Sequence, residues 1–405
     1  MPPEEVLLGA VAGEGEGIGR HGWRARLYRK CGRDSTLPPE MLCSPLRVRG
    51  ARNPRSAGGD MATRIGIIGA GAIGSVVGGM LTRAGHDVTL IDQWPDHIEA
   101  IKRHGLRLSG TCGEHLVPVK AMHIHETQGL RDPFDVIFIS VKSYDTEWAT
   151  ALATVYLRQP SGIVVDFQNG INDERVAAGA GRERTLGCVI TISAGMYEPG
   201  HAIRTDTGSI GFKIGEHDGK DTPRAQEIAR IMNDVAVTKV TPNLWGERWS
   251  KLAVNCMVNP ISGLSGFDSA EARTNQVPRR IAVFTAAEVI QVGRARGFEV
   301  EPIYSIKTQR FVDAVAGDGL AEVEADMSRD AKSRVGGRPS MLQDVMKGRR
   351  TEINYLNGYV ADQGRQVGVK TPINDKIVEL VNAPGVGQLK PNPKNLDPLW
   401  AMVPH

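Results

Sequence analysis

Arg64-Ile65-Gly66-Ile67-Ile68-Gly69-Ala70-Gly71-Ala72-Ile73-Gly74 reads as a buried strand running straight into a glycine-rich turn and then a helix. Residues 65–68 have the near-continuous hydrophobicity of a strand covered on both faces. In the turn, Gly69 permits a tight bend, Gly71 lets a ligand's phosphates approach the backbone, and Gly74 lets the helix pack closely. The helix opened by Ala70, Ala72 and Ile73 points its N-terminus at an anion. A structural glycine bend is the plainer reading of such a turn. Here a strand precedes it, a helix follows it, and Asp92 closes the next apolar run, Asp87-Val-Thr-Leu-Ile91. In that context residues 69–74 and Asp92 are the expected site of a nicotinamide dinucleotide.

Asp92 bears on which dinucleotide. A carboxylate there accepts the ribose hydroxyls of NADH and repels the 2′-phosphate of NADPH. Its neighbours Gln93, Trp94 and Pro95 offer no cation. Between NADPH and NADH the residue favours NADH, with a solvated Asp ending a strand as the plain alternative.

Outward from this unit the alternation continues. Asp135-Val-Ile-Phe-Ile-Ser-Val141 and Gly162-Ile-Val-Val-Asp166 are further buried strands, and residues 73–83 and 146–157 have helical periodicity. Strands over 185–192 and 209–214 extend the pattern. It predicts an α/β, Rossmann-type doubly wound sheet over 61–240. Beyond 241 the strand signals vanish. Helical periodicity covers 244–258, 279–296, 303–315, 341–347, 352–366 and 371–381, an all-α domain over 241–390 followed by a tail, 391–405. Residues 327–338, charged and glycine-containing, suit a mobile loop. Residues 1–60 are rich in Gly, Arg, Pro and Glu without a period, as in a disordered extension or a start read upstream of Met61. A mitochondrial targeting peptide fits less well, because Glu4, Glu5, Glu14 and Glu16 are wrong for one.

The chain of 405 residues carries 49 Lys and Arg against 46 Asp and Glu, a net charge of +3. That field is too weak to predict a nucleic-acid or membrane-surface partner, and no apolar run reaches the ~18 residues of a membrane span. Cys31, Cys43, Cys112, Cys188 and Cys256 form no CxxC pair and read as reduced thiols of a cytoplasmic protein. His86, His97 and His104 lack metal-site spacing and read as surface residues, so no metal is expected.

In Trp245-Gly-Glu-Arg-Trp-Ser-Lys251-Leu-Ala-Val-Asn255-Cys-Met-Val-Asn259-Pro260, Lys251, Asn255 and Asn259 fall at i, i+4 and i+8 on one helical face. Asn brings no helix propensity, so the stripe is either solvent-facing or there to bind something. Further on, Ser340-Met-Leu-Gln-Asp344 places Ser340 as a plausible N-cap, and Glu352 in Arg349-Arg350-Thr351-Glu352-Ile353 starts a helix, where its charge is favourable. Cys256 reads as a small buried apolar residue, not a nucleophile.

Together with Val141-Lys142-Ser-Tyr and Gln168-Asn169-Gly170, in this order and spacing, these stretches resemble the ketopantoate reductase family from Arg64 to about Val381. The resemblance implies reduction of a small 2-oxo acid by NADPH or NADH, most simply 2-dehydropantoate to pantoate in pantothenate biosynthesis. It makes Lys251 the proton donor to the developing alkoxide and Glu352 the acid that holds the substrate hydroxyl and the lysine. It makes Asn255, Asn259 and Ser340 substrate-binding, and places Lys142 and Asn169 along the cleft. Family members occur as monomers or homodimers, so a homodimer is one arrangement open to this chain.

The chemistry suits a lysine, which stabilises negative charge and also releases a proton, as an arginine does not. Burial should lower its pKa and a nearby carboxylate should raise it again. Asp92 departs from the family's NADPH-preferring pattern, which leaves an NAD-linked 2-hydroxy acid dehydrogenase as an alternative. A redox sensor that binds the dinucleotide and catalyses nothing is the rival from another class, and it has no use for a proton donor.

Overall fold

Beyond Arg64, every residue of β1 (Arg64–Ile68) is buried, and alternate side chains enter different cores. Ile65 and Ile67 join Val76, Val77 and Leu81, whereas Ile68 joins Ala149, Ala153 and Val176. The period of two thus places helices on both faces of the sheet. The structure, a computed structural model, describes residues 63–332 and 337–405. The extension expected over 1–60, the start at Met61, and Cys31 and Cys43 lie outside the described residues.

The other strands are β2 (Asp87–Asp92), β3 (Leu106–Gly110), β4 (His115–Val117), β5 (Lys120–His123), β6 (Val136–Ile139), β7 (Ile163–Asp166), β8 (Thr185–Ile190), β9 (Ala194–Glu198), β10 (His201–Arg204), β11 (Phe212–Gly215) and β12 (Thr238–Val240). One sheet runs β12-β11-β8-β7-β6-β1-β2-β5, parallel throughout except where β11 meets β8. Ile68 lies level with Ile91 and with Ile139, so the loops leaving β1, β2 and β6 emerge at one edge. The winding direction reverses between β1 and β6. Open α/β sheets bind ligands at such a reversal, outside the carboxyl ends of the strands. A second sheet, β4-β3-β10-β9, had no expectation in the sequence.

Five helices surround the large sheet: α1 (Ala72–Ala84), α2 (Pro95–His104), α3 (Thr146–Tyr156), α4 (Asp173–Ala180) and α5 (Pro223–Met232). Helices α1 and α5 share one face, α3 and α4 the other. The second half carries α6 (Leu244–Ser265), α7 (Glu271–Thr274), α8 (Gln276–Ala295), α9 (Thr308–Val315), α10 (Leu320–Lys332), α11 (Ser340–Met346), α12 (Asn357–Val367), α13 (Pro372–Asn382) and α14 (Asp397–Trp400). Among the described residues its only β pairing is the bridge between Ile303 and Ile306. An α/β half followed by an all-helical half is the fold class the sequence predicted.

Helix α6 organises the second half. Asn243 caps its start, its side chain accepting from Gly246 N at 3.0 Å, and Gly266 ends it in the left-handed region at φ 85°. Pro260 lies inside the helix, where its missing N–H leaves the carbonyl of Cys256 without its helical partner. Asn357 supplies one: its Nδ2 donates to Cys256 O at 3.2 Å and to Asn374 Oδ1 at 2.9 Å. A side chain from α12 thus completes the backbone bonding of α6.

Four expectations need correction. The helix over 303–315 begins only at Thr308, because Tyr304 and Ser305 take positive φ. The helix expected from Glu352 is a 3-10 turn, Ile353–Tyr355, before α12 begins at Asn357. Met327 does not open a loop: α10 runs to Lys332 and buries Val323, Met327 and Ala331 at a spacing of four, while residues 333–336 lie outside the described residues. The tail over 391–405 is packed, with Leu396, Leu399 and Val403 in the helical core.

Candidate active site

The loops leaving β1, β2, β6 and β7 converge on a cleft of about 400 Å³, within the usual range for small-molecule sites. Its floor is the glycine turn. Gly69 has φ +101°, and a Cβ there would lie 2.5 Å from the Ser140 carbonyl carbon. A Cβ on Gly74 would lie 2.1 Å from Gly69 O, so this glycine packs against the turn itself. Among the described residues nothing stands within 4 Å of a Cβ placed on Gly71. The open space lies where a pyrophosphate has to approach, so the turn fits the group its sequence implies.

Asp92 closes β2 beside this turn. Its Oδ2 accepts from Ala70 N at 2.6 Å and its Oδ1 from Trp94 N at 2.8 Å. Each oxygen keeps lone-pair capacity for a further donor. His97, expected at the surface, is instead fully buried beneath the turn. Its Nδ1 accepts from Gly200 N at 2.9 Å, its Nε2 lies 3.1 Å from Ser75 Oγ, and Ser75 Oγ donates to Ala70 O. Burial lowers its pKa, with Asp92 opposing, and the neutral tautomer fits these partners. His86 pairs with Asp234 and His104 is exposed, as expected of surface residues.

Across the cleft, α11 and the 3-10 turn present carboxylates. Lys142, just after β6, donates to Asp344 Oδ2 at 2.6 Å and to Glu352 Oε2 at 3.0 Å. Glu352 Oε1 accepts from Ser143 N at 2.9 Å and Ser143 Oγ at 3.0 Å. Burial alone would push Lys142 down, but Glu352 and Asp344 outweigh it and hold the lysine above its ordinary value. Asn169 lines the same cleft, and its carbonyl accepts from Ser143 Oγ and from Asn172 Nδ2.

Lys251 differs. Among the described residues it forms no hydrogen bond or ion pair, and burial lowers its pKa with no carboxylate to offset the effect. The carboxylate expected beside Lys251, Glu352, holds Lys142 instead. Asn255 and Asn259 are 5% and 7% exposed, so the stripe is no solvent-facing one. Asn255 Nδ2 is buried without a partner among the described residues, which in a native protein asks for an explanation such as a ligand. One turn earlier, Arg248 is fully buried and donates to Asp166 Oδ2 at 2.7 Å, Asp173 Oδ1 at 2.9 Å and Cys188 O at 2.9 Å. It bolts α6 to the last residue of β7, to β8 and to the first residue of α4.

The structure therefore gathers the glycine turn, Asp92, Lys142, Asn169, Ser340 and Glu352 around one cleft. Lys251, Asn255 and Asn259 are not among its lining; they share α6, against which α11 packs through Met341 and Gly263. Ser340 does not cap α11 with its side chain but is the first residue of that helix. Sequence reasoning missed Asp344, which shares a helical face with Ser340 four residues earlier. It also missed Ser143, Arg248 and the contact of Arg349 with Trp94, which no local pattern signals.

The family profile described as Ketopantoate reductase PanE/ApbA matches residues 65–219, and its C-terminal counterpart, Ketopantoate reductase PanE/ApbA C terminal, matches 243–384. The 2-dehydropantoate 2-reductase of Archaeoglobus fulgidus is 31% identical over 320 residues, 78% of this chain and 96% of the relative. A crystal structure of 2-dehydropantoate 2-reductase from Geobacter metallireducens GS-15 superposes with a TM-score of 0.68 at 25% identity, covering 79% of this chain and 99% of that one. D-mandelate dehydrogenase, solved with NADH and anilino(oxo)acetate, shares the fold with a TM-score of 0.68 at 24% identity, over 83% of this chain and 99% of its own. Among the described residues no helix is long and apolar enough to cross a membrane.

Proposed function

The chain belongs to the ketopantoate reductase family of NAD(P)-dependent oxidoreductases, and from that premise we propose that it reduces 2-dehydropantoate to pantoate, a 2-oxo acid to a 2-hydroxy acid. The observation that carries the reading is a cleft with the glycine turn as its floor and Glu352 across from it, next to a helix whose Lys251 has no partner among the described residues.

Residues 69–74 hold the dinucleotide's pyrophosphate, and Asp92 accepts from its ribose. When bound, the reduced nicotinamide supplies the hydride for the ketone carbon. Negative charge then builds on the ketone oxygen, where Lys251 stabilises it and releases a proton to it. The burial that lowers the lysine's pKa makes that release easier. Asn255, Asn259 and Ser340 bind the substrate's polar groups. Glu352 Oε2 accepts from Lys142 and keeps a lone pair for the substrate hydroxyl. Asp92 favours NADH, which also supports a second reading, an NAD-linked dehydrogenase of another 2-hydroxy acid.

The test follows absorbance at the nicotinamide band with 2-dehydropantoate and NADPH, then NADH. Rapid oxidation of either supports the proposal. Binding of cofactor without turnover on this substrate withdraws it and moves the search to other 2-oxo acids and to the oxidation of 2-hydroxy acids. Binding without turnover on any of them leaves a sensor.

A further inference from the structure

Lys347-Gly348-Arg349-Arg350, the stretch after α11, carries three cations toward the Rossmann half. Lys347 Nζ lies 5.5 Å from the ring centroid of Tyr197 and donates to Met196 O at 2.6 Å. Arg350 Cζ stands 4.6 Å over Tyr144, and Arg349 Cζ 5.4 Å over Trp94. Such contacts place a guanidinium without neutralising it. Among the described residues Arg349 and Arg350 form no ion pair with a carboxylate.

Arg349 is the one of these whose place matters for the cofactor. It lines the cleft together with Asp92, Gln93 and Trp94. The Trp94 backbone N–H is itself bonded to Asp92 Oδ1, and its ring stacks on His97 at 5.4 Å, so the indole under the guanidinium stands next to the carboxylate read as facing the ribose. The stretch after β2 has no cation of its own, and the helical half supplies one. A planar guanidinium with parallel N–H donors matches a phosphate better than any other side chain does. Lys347 is already engaged by Met196 O, and Arg350 is not part of the cleft lining.

We propose that Arg349 is a specificity-determining residue that accepts the 2′-phosphate of NADPH, offsetting the repulsion by Asp92, so that the protein uses both NADH and NADPH. The inference rests on reading the cleft as the dinucleotide site. It makes cofactor choice a product of both halves, because the residue that rejects the phosphate and the residue that receives it come from different ones.

Calorimetric titration of the full chain with NADPH and, separately, NADH tests it in the wild type, R349Q and R349K. The wild type should bind both dinucleotides, with dissociation constants within about tenfold of each other. A charged hydrogen bond to phosphate predicts that R349Q binds NADPH roughly 10- to 100-fold more weakly and NADH within about threefold of the wild type. R349K, which keeps the charge, should recover part of the loss. Arg349 is exposed, so R349Q should melt at the wild-type temperature. Equal weakening of both dinucleotides by R349Q overturns the proposal, because Arg349 then clamps the adenine end regardless of phosphate. So does no change for either. A wild type that binds NADH alone overturns this inference and leaves the cofactor reading standing, whereas a wild type that binds neither overturns both.

Discussion

Lys142 and Lys251 come from the two halves of the molecule and meet opposite fates. Lys142 lies between two carboxylates, 2.6 and 3.0 Å away, and is held charged above its ordinary pKa. Lys251 has no partner among the described residues, and burial pushes its pKa down. A protein gains nothing in stability from the second arrangement, since desolvating an unpaired ammonium is a cost. A lysine tied by two carboxylates positions the wall it belongs to. A lysine left unpaired is free to hand over a proton.

The sharpest break of this comparison is Lys251→Ala. Loss of a general acid, about 10²- to 10⁴-fold, combines with loss of charge stabilisation on a similar scale. Turnover should therefore fall by several orders of magnitude while dinucleotide binding, read by calorimetry, stays unchanged. Near-normal turnover would remove Lys251 from the chemistry. Next in size is Arg248→Leu, which tests a paired cation on the same helix. It leaves Asp166 and Asp173 buried without their partner and should cost about 3–5 kcal/mol in urea unfolding; a cost below about 1 kcal/mol would show that the bolt between the halves is dispensable. Glu352→Ala removes an acceptor bonded to Lys142 and Ser143 and should lower kcat/KM roughly 10- to 100-fold, with KM rising. Unchanged KM and kcat would take Glu352 out of the site.

The mildest test is pH. A proton donor works only while protonated, so kcat for reduction should fall about tenfold per unit above the pKa of Lys251. Because that pKa is lowered, the decline should begin below the ordinary lysine value of 10.5. Lys142, shifted the other way, should remain charged through the same range. A flat profile up to that ordinary value would erase the distinction between the two lysines.

How much of this was legible in the sequence depended on how local the signal was. The strand at Arg64–Ile68, the glycine turn and the helical face of Lys251, Asn255 and Asn259 each lie within one element, where period and spacing carry the information. Strands such as His201–Arg204, four residues with one fully buried apolar side chain, leave no such trace. Helix α10 was hidden because charged residues surround its buried stripe. The partners of Lys142, the burial of His97 and the stacking of Arg349 on Trp94 join residues far apart in the chain. Their formation depends on topology, which periodicity does not report. The resemblance named Glu352 as a site residue, yet only the fold shows which lysine it grips.

The bond from Asn357 to the Cys256 carbonyl bears on which segments of the helical half can be exchanged. Pro260 opened a gap in α6 that α12 fills, so residues 255–260 and 352–357 behave as a single cassette split across the chain. Swapping the first segment for one without the proline leaves the Asn357 amide with a competitor for its acceptor. Swapping the second alone leaves a bare carbonyl in the core. Grafts that exchange both together should retain the fold, whereas either segment exchanged alone should lower the unfolding midpoint.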